Sequence, residues 1–171
     1  EVAKLCGALP IGLQPKRRSI GVVPMPDGLV FNHWPMVTDV GETWYAKPQS
    51  GKLIVSSADA TPVDAHDAYA DDMAIAEGID RLMTGTTLEV DRLEHSWGGL
   101  RSFAPDGNPV VGFDAKVEGY FWLIGQGGYG IQSSPALSEA AAALARHQNI
   151  SQRTIDFGLD EDQISPQRFN P

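Results

Sequence analysis

Three apolar stretches, 36–40, 43–46 and 53–55, follow one another with joins of only a few residues. A parallel pairing needs a crossover of a dozen residues or more, so these stretches are predicted to form an antiparallel meander. The residues between them agree, with Gly41-Glu42 in the first join and Gln49-Ser50-Gly51-Lys52 in the second. Upstream, Ile20-Gly21-Val22-Val23 lies between turn formers within 10–26 and suits another strand, and Asp27-Gly28 is a hairpin signal. The opening Val2-Ala3-Lys4-Leu5 reads as the end of a helix already under way, which makes a segment upstream of Glu1 an expectation.

From Asp64 to Met83 the apolar spacing turns helical. Ala68, Met73, Ile75, Ala76, Ile79 and Leu82 approximate one face, and Asp64 or Asp67 is available as a cap. Gly78 costs this helix about 1 kcal/mol against alanine, and Asp71-Asp72 reads as a solvated face. A strand is predicted over 87–96. Composition shifts at Trp97-Gly98-Gly99, beyond which come a loop at 105–109, a short strand at Val110-Val111 and an apolar strand from Tyr120 to Ile124. A glycine-rich turn then leads into an alanine-rich helix from Pro135 to Arg146, and the polar segment 149–171 is predicted to wrap the surface. The fold class is therefore α+β: a mainly antiparallel sheet with a helix, followed by a strand-turn-helix piece.

In Gly125-Gln126-Gly127-Gly128-Tyr129-Gly130-Ile131-Gln132, four glycines fall within six positions. Such a turn lets the backbone approach a flat or anionic ligand and presents N–H groups at a helix N-terminus, whose partial positive charge favours an anion. The same glycines equally suit a tight turn that needs them for packing alone. The run formally contains G-x-G-x-x-G, yet no βαβ unit with an acidic residue about 20 positions on follows it, so a self-sufficient dinucleotide-binding domain is rejected.

A formal charge of −9 leaves no basic surface to neutralise phosphates, which argues against nucleic acid or an anionic membrane as partner. The one basic run, Lys16-Arg17-Arg18, is expected at a strand edge or turn. Cys6 is the single cysteine, so an internal disulfide and a cysteine-rich metal site are excluded, and a reducing, cytoplasmic setting is compatible. No apolar run is long enough to span a bilayer. His33-Trp34 and His95 lack metal-ligand or Ser/His/Asp spacing and are read as structural.

Three segments together resemble one family, the D-amino-acid oxidase-like flavoproteins that include glycine oxidase, sarcosine oxidase and D-amino-acid dehydrogenases. They are Glu42 to Pro48 with Gly51-Lys52-Leu53, then Trp97-Gly98-Gly99-Leu100-Arg101 with Pro105 to Gly112, and Gly125 to Gln132. Ile164-Ser165-Pro166-Gln167-Arg168-Phe169 is similar to the usual end of bacterial members. The resemblance covers essentially the whole chain and implies that 1–94 is substrate-binding domain and 95–171 the C-terminal segment of an FAD-binding domain whose N-terminal half lies elsewhere. It implies oxidation of the Cα–N bond of an amino acid or secondary amine by hydride transfer to flavin, with no dedicated catalytic base required.

Residue by residue, the resemblance implies that Arg101 holds the substrate carboxylate, that the Tyr45 hydroxyl supports it, and that Asp59 stands beside the substrate. Gly125, Gln126, Gly127, Gly128, Tyr129, Gly130, Ile131 and Gln132 would close over the flavin, where charge develops at the N1–C2=O2 edge on reduction. Sarcosine oxidases attach flavin through a cysteine that follows the Arg101 segment; none is present there, so FAD is expected to bind non-covalently. Gly128 stands where some relatives carry a larger, charged side chain. Expected partners are an amino-acid or amine substrate and the missing half, and two rival readings are a stand-alone ligand-binding module and one subunit of a split flavoenzyme.

Overall fold

The meander forms, organised around its first long strand. In the computed structural model, which describes residues 2–26, 28–29 and 33–169, β1 (Gln14–Pro24) pairs with β4 (Lys52–Ser56), β5 (Thr61–Pro62) and β6 (His95–Phe103). With β2 (Val37–Thr38) and β3 (Tyr45–Gln49), the sheet order is β2-β3-β4-β1-β5, β6 joining on β1. The β1–β4, β1–β5, β2–β3 and β3–β4 ladders are antiparallel. Between β3 and β4, Ser50 and Gly51 both have positive φ (51° and 77°), as a two-residue turn matching the strands' twist requires. The Asp27-Gly28 turn predicted from the sequence lies partly outside the described residues. Lys16-Arg17-Arg18 lies inside β1, not at a turn, because the strand begins two residues before Lys16.

The chain divides into two compact units, one of residues 16–100 and one of residues 1–15 with 101–171. The first fifteen residues cluster with the C-terminal part. The reason is packing: after α1 (Val2–Leu5), Ala8 and Ile11 are buried with Ala104, Val110 and Trp122.

In the 16–100 unit, alternation along the strands turns Val23, Trp44, Ala46, Leu53 and Val55 to one face, where they pack with Leu82 of α2 (Asp72–Gly85). Leu82 is 1% exposed, a burial worth about 2 kcal/mol. The helix begins eight residues later than the sequence spacing predicts. Asp71, not Asp64 or Asp67, is the cap, accepting from the Ala74 N–H at 3.0 Å, while Met73 faces out. The preceding backbone is held elsewhere: a Cβ at Gly98 would lie 2.4 Å from the Tyr69 carbonyl carbon. Residues 87–94 are not a strand; the strand runs instead from His95 through Trp97-Gly98-Gly99, where the glycines make room for that crossing segment.

In the other unit, β7 (Val110–Phe113) and β8 (Phe121–Ile124) pair antiparallel, and α3 (Gly130–Ala145) packs on β7. The helix starts five residues before Pro135. The Ile131 carbonyl, which would otherwise face the missing proline N–H, accepts from Ser134 Oγ at 2.8 Å. The segment 149–171 does more than wrap the surface. It forms α4 (Gln152–Asp156), α5 (Glu161–Ile164) and a 3₁₀ turn (Pro166–Phe169), and Ile150 and Ile164 are buried with Val111, Leu137, Ala140 and Ala141. Arg168 ties this end down, its Nε donating to Asp106 Oδ2 at 2.7 Å.

Candidate functional site

The glycine turn is built against the end of β6. Gly127 N–H donates to the Ser102 carbonyl at 3.0 Å, and Phe103 bridges Gln126 in antiparallel fashion. Side chains two apart on a strand share a face, so Arg101 and Phe103 both point toward the turn. The Arg101 guanidinium carbon lies 5.3 Å from the Phe103 ring centre, within cation–π range. Phe103 in turn meets Tyr129 edge-on at 6.5 Å. The Tyr129 hydroxyl donates to the Gly107 carbonyl, and burial, with the charge of Asp106, pushes its phenol above the usual range. It is therefore a neutral donor at any physiological pH.

Two of the turn's glycines have positive φ, Gly125 at 75° and Gly127 at 54°. The space beside Gly127 is filled by the Phe103 ring and that beside Gly128 by Arg101. Packing thus accounts for these two glycines. What remains open is the helix start: α3 has Tyr129 as its N-cap with no side-chain hydrogen bond, and the N–H groups of its first turn have no intrahelical acceptor. Ile131, beside them, is 94% exposed. An uncapped 16-residue helix, a glycine surface and a nearby guanidinium suit a flat ligand that carries or develops negative charge. These residues fit the pyrimidine edge of a flavin.

In the 16–100 unit, Tyr45 and Asp59 are brought together by Arg18. The Arg18 guanidinium lies over the Tyr45 ring at 5.5 Å and donates from Nε to the Asp59 carbonyl at 2.6 Å and from Nη2 to the Ala58 carbonyl at 2.9 Å. The Asp59 carboxylate is engaged by Ser19, from its N–H at 2.8 Å and its hydroxyl at 3.1 Å. Its neighbour Arg17, on the opposite face of β1, pairs with Asp71 at 2.8 Å. The Ala74 N–H first, and then Arg17, hold the Asp71 carboxyl below the usual carboxylate range. Sequence reasoning missed Arg18 and Phe103 as neighbours of the predicted residues. Period-two alternation was the available signal for Phe103; for Arg18 it separates the two arginines by face but does not name Tyr45 as the partner.

A cavity of about 210 Å³ lies in the same unit, lined by apolar groups including Trp34, Trp44, Leu53, Leu82 and Leu88. Its lining includes none of Tyr45, Asp59, Arg101 or the glycine-turn residues. His95 stacks with Trp97 at 6.1 Å on the exposed side of β6. Among the described residues no group of three or more His, Cys, Asp or Glu side chains is placed to hold a metal ion, and no helix is long and apolar enough to cross a membrane.

Comparison with known proteins bears on both units. Residues 1–144 match the family model of FAD-dependent oxidoreductases of the DAO type. Among solved structures, the chain is similar to glycine oxidase from Geobacillus kaustophilus, with a TM-score of 0.66 and 21% identity over 93% of this chain and 42% of that one. It is also similar to L-proline dehydrogenase from P. horikoshii, with a TM-score of 0.67 and 20% identity over 94% and 41% of the two chains. An L-amino acid deaminase from Proteus vulgaris without its specific insertion gives a TM-score of 0.65 and 20% identity over 94% and 38%. At such identities the likeness is one of fold, and the chain spans about two-fifths of the length of these structures.

Proposed function

The chain belongs to the DAO family of FAD-dependent oxidoreductases, and from that premise we propose that it supplies the carboxylate anchor and the flavin-closing turn of an enzyme that oxidises the Cα–N bond of an amino acid or N-substituted amino acid. The observation that carries this reading is the seating of Arg101 against the Gly125–Gly130 turn, inside one unit, beside the uncapped start of α3. The remainder of the FAD site comes from a segment outside this sequence, on the same chain or a separate one.

In this reading FAD is bound non-covalently and supplies the hydride acceptor. The free N–H groups of Gly130, Ile131 and Gln132 would hold the flavin where negative charge develops on reduction, and the α3 dipole would favour that charge. Arg101 holds the substrate carboxylate through paired charge-assisted hydrogen bonds, which orients the Cα–N bond. Tyr45, in the 16–100 unit, offers its hydroxyl to the substrate. Asp59 stands beside the substrate in this reading; its backbone carbonyl accepts from Arg18, whose guanidinium lies over the Tyr45 ring, and its carboxylate accepts from Ser19.

The test uses the FAD-loaded protein with an amino acid and with the amine that lacks its carboxylate. Arg101→Ala is expected to raise KM for the amino acid about a hundredfold, the equivalent of losing a hydrogen-bonded charge pair, and to leave the amine nearly unaffected. Equal losses on both substrates would sink the anchor assignment. Tyr45→Phe should give a smaller change in the same direction, about threefold to tenfold.

A further inference from the structure

Gly128 is demanded by one side chain, not by the backbone. Its φ lies outside the left-handed region, so the conformation itself accepts any residue. A Cβ built there, however, would lie 2.1 Å from Arg101 Nη1, 3.2 Å from Cζ and 3.6 Å from Cδ, and these are its three nearest heavy atoms. The volume that a side chain at 128 would occupy is thus filled by the Arg101 guanidinium.

The arrangement continues one step back along the turn. A Cβ at Gly127 would lie 2.5 Å from Phe103 Cε1. Consecutive glycines therefore receive alternate side chains of β6, Gly127 taking Phe103 and Gly128 taking Arg101. The Gly127 N–H bond to Ser102 and the bridge between Phe103 and Gln126 fix the register in which this happens. Phe103 packs beside the guanidinium and limits where it can swing.

We propose that Gly128 is a positioning residue for Arg101: the space left by its missing side chain is the seat of the guanidinium, and any side chain at 128 moves the anchor off that seat. The proposal rests on the reading of Arg101 as the carboxylate anchor. Because the displaced group is the flexible end of an arginine, the fold should survive the change while carboxylate binding does not. Position 128 then governs affinity for carboxylates without touching them.

The experiment follows the Arg101 Nε–H signal by ¹⁵N NMR in the 171-residue chain, assigned with Arg101→Lys, while sodium acetate is titrated as the probe. Gly128→Ala is expected to shift that signal and weaken acetate binding about tenfold, with the unfolding midpoint within about 3 °C of the parent. Gly99→Ala is the control, since nothing lies within 4 Å of a Cβ there and its φ is ordinary; it should leave both readouts alone. An unchanged Arg101 signal and acetate affinity in Gly128→Ala would overturn the proposal. A shifted signal with no acetate response even in the parent chain would keep the seat and remove the anchor reading. If Gly128→Ala does not fold, the double variant Arg101→Ala, Gly128→Ala decides: recovery of folding supports the seat, and continued failure overturns it.

Discussion

Gly78 and Gly98 in the 16–100 unit and Gly127 and Gly128 in the other unit all stand where a Cβ would collide, but they collide with different things. At Gly78 the obstacle is backbone, Ser57 N at 2.6 Å and the Ser56 carbonyl carbon at 2.8 Å; at Gly98 it is the Tyr69 carbonyl. At Gly127 and Gly128 it is the Phe103 ring and the Arg101 guanidinium. Backbone held in a sheet or a crossing segment cannot step aside, whereas the end of a side chain can. The first pair therefore maintains the fold, and the second pair decides where particular side chains sit. A glycine-rich turn beside a helix start invites a ligand explanation for every glycine, and here two of them serve an arginine and a ring instead.

The largest effect is expected from Gly98→Ala, which should destabilise by about 3 kcal/mol or prevent folding, as overpacking against fixed backbone does. Gly78→Ala should also destabilise, by about 2 kcal/mol in denaturant unfolding, even though alanine is the better helix former by about 1 kcal/mol. A stabilised Gly78→Ala would show that the approach of α2 to β4 is not what demands glycine. Next in size is Gly127→Ala, expected to cost about 1–2 kcal/mol because a positive φ adds to the displacement of Phe103.

A smaller effect is expected from acid. Asp71 is depressed by the Ala74 N–H and by Arg17, so its contribution is fully present above its unfolded value and is lost as pH falls through the lower folded value. Stability of the parent should therefore fall below about pH 4, and Asp71→Asn should flatten that part of the curve. An identical acid profile in the variant would mean that the cap and the Arg17 pair do not act in the folded state. Smallest of all should be the effect of Gly128→Ala on stability, within about 0.5 kcal/mol.

The meander was legible because its joins are too short for crossovers and because Ser50-Gly51 is turn chemistry that acts locally. Strand-turn-helix at 120–146 was legible for the same local reasons. The start of α2 was not: 64–70 has helical spacing, but it forms no helix, and its end at Tyr69–Ala70 lies against Gly98. The strand through Trp97-Gly98-Gly99 was hidden by glycines whose purpose is that same non-local crossing. The polar tail concealed its packing role because Ile150 and Ile164 are isolated among polar residues and find their partners only in β7 and α3. Of the candidate site, the local pattern pointed to the glycine turn and the family resemblance to Arg101, while the fit of one into the other depends on a strand register that no local pattern reveals.

In the proposed function this chain brings a carboxylate anchor to a flavin-closing turn. The most direct test is the visible absorption spectrum of the chain assembled with the segment carrying the rest of the FAD fold, followed without oxygen as an amino acid is added. The expected result is a bound-flavin band that the amino acid bleaches, and, for Arg101→Ala, the same band bleached only at about a hundredfold higher concentration. A folded assembly that takes up no flavin, or an Arg101→Ala protein bleached as readily as the parent, would contradict it.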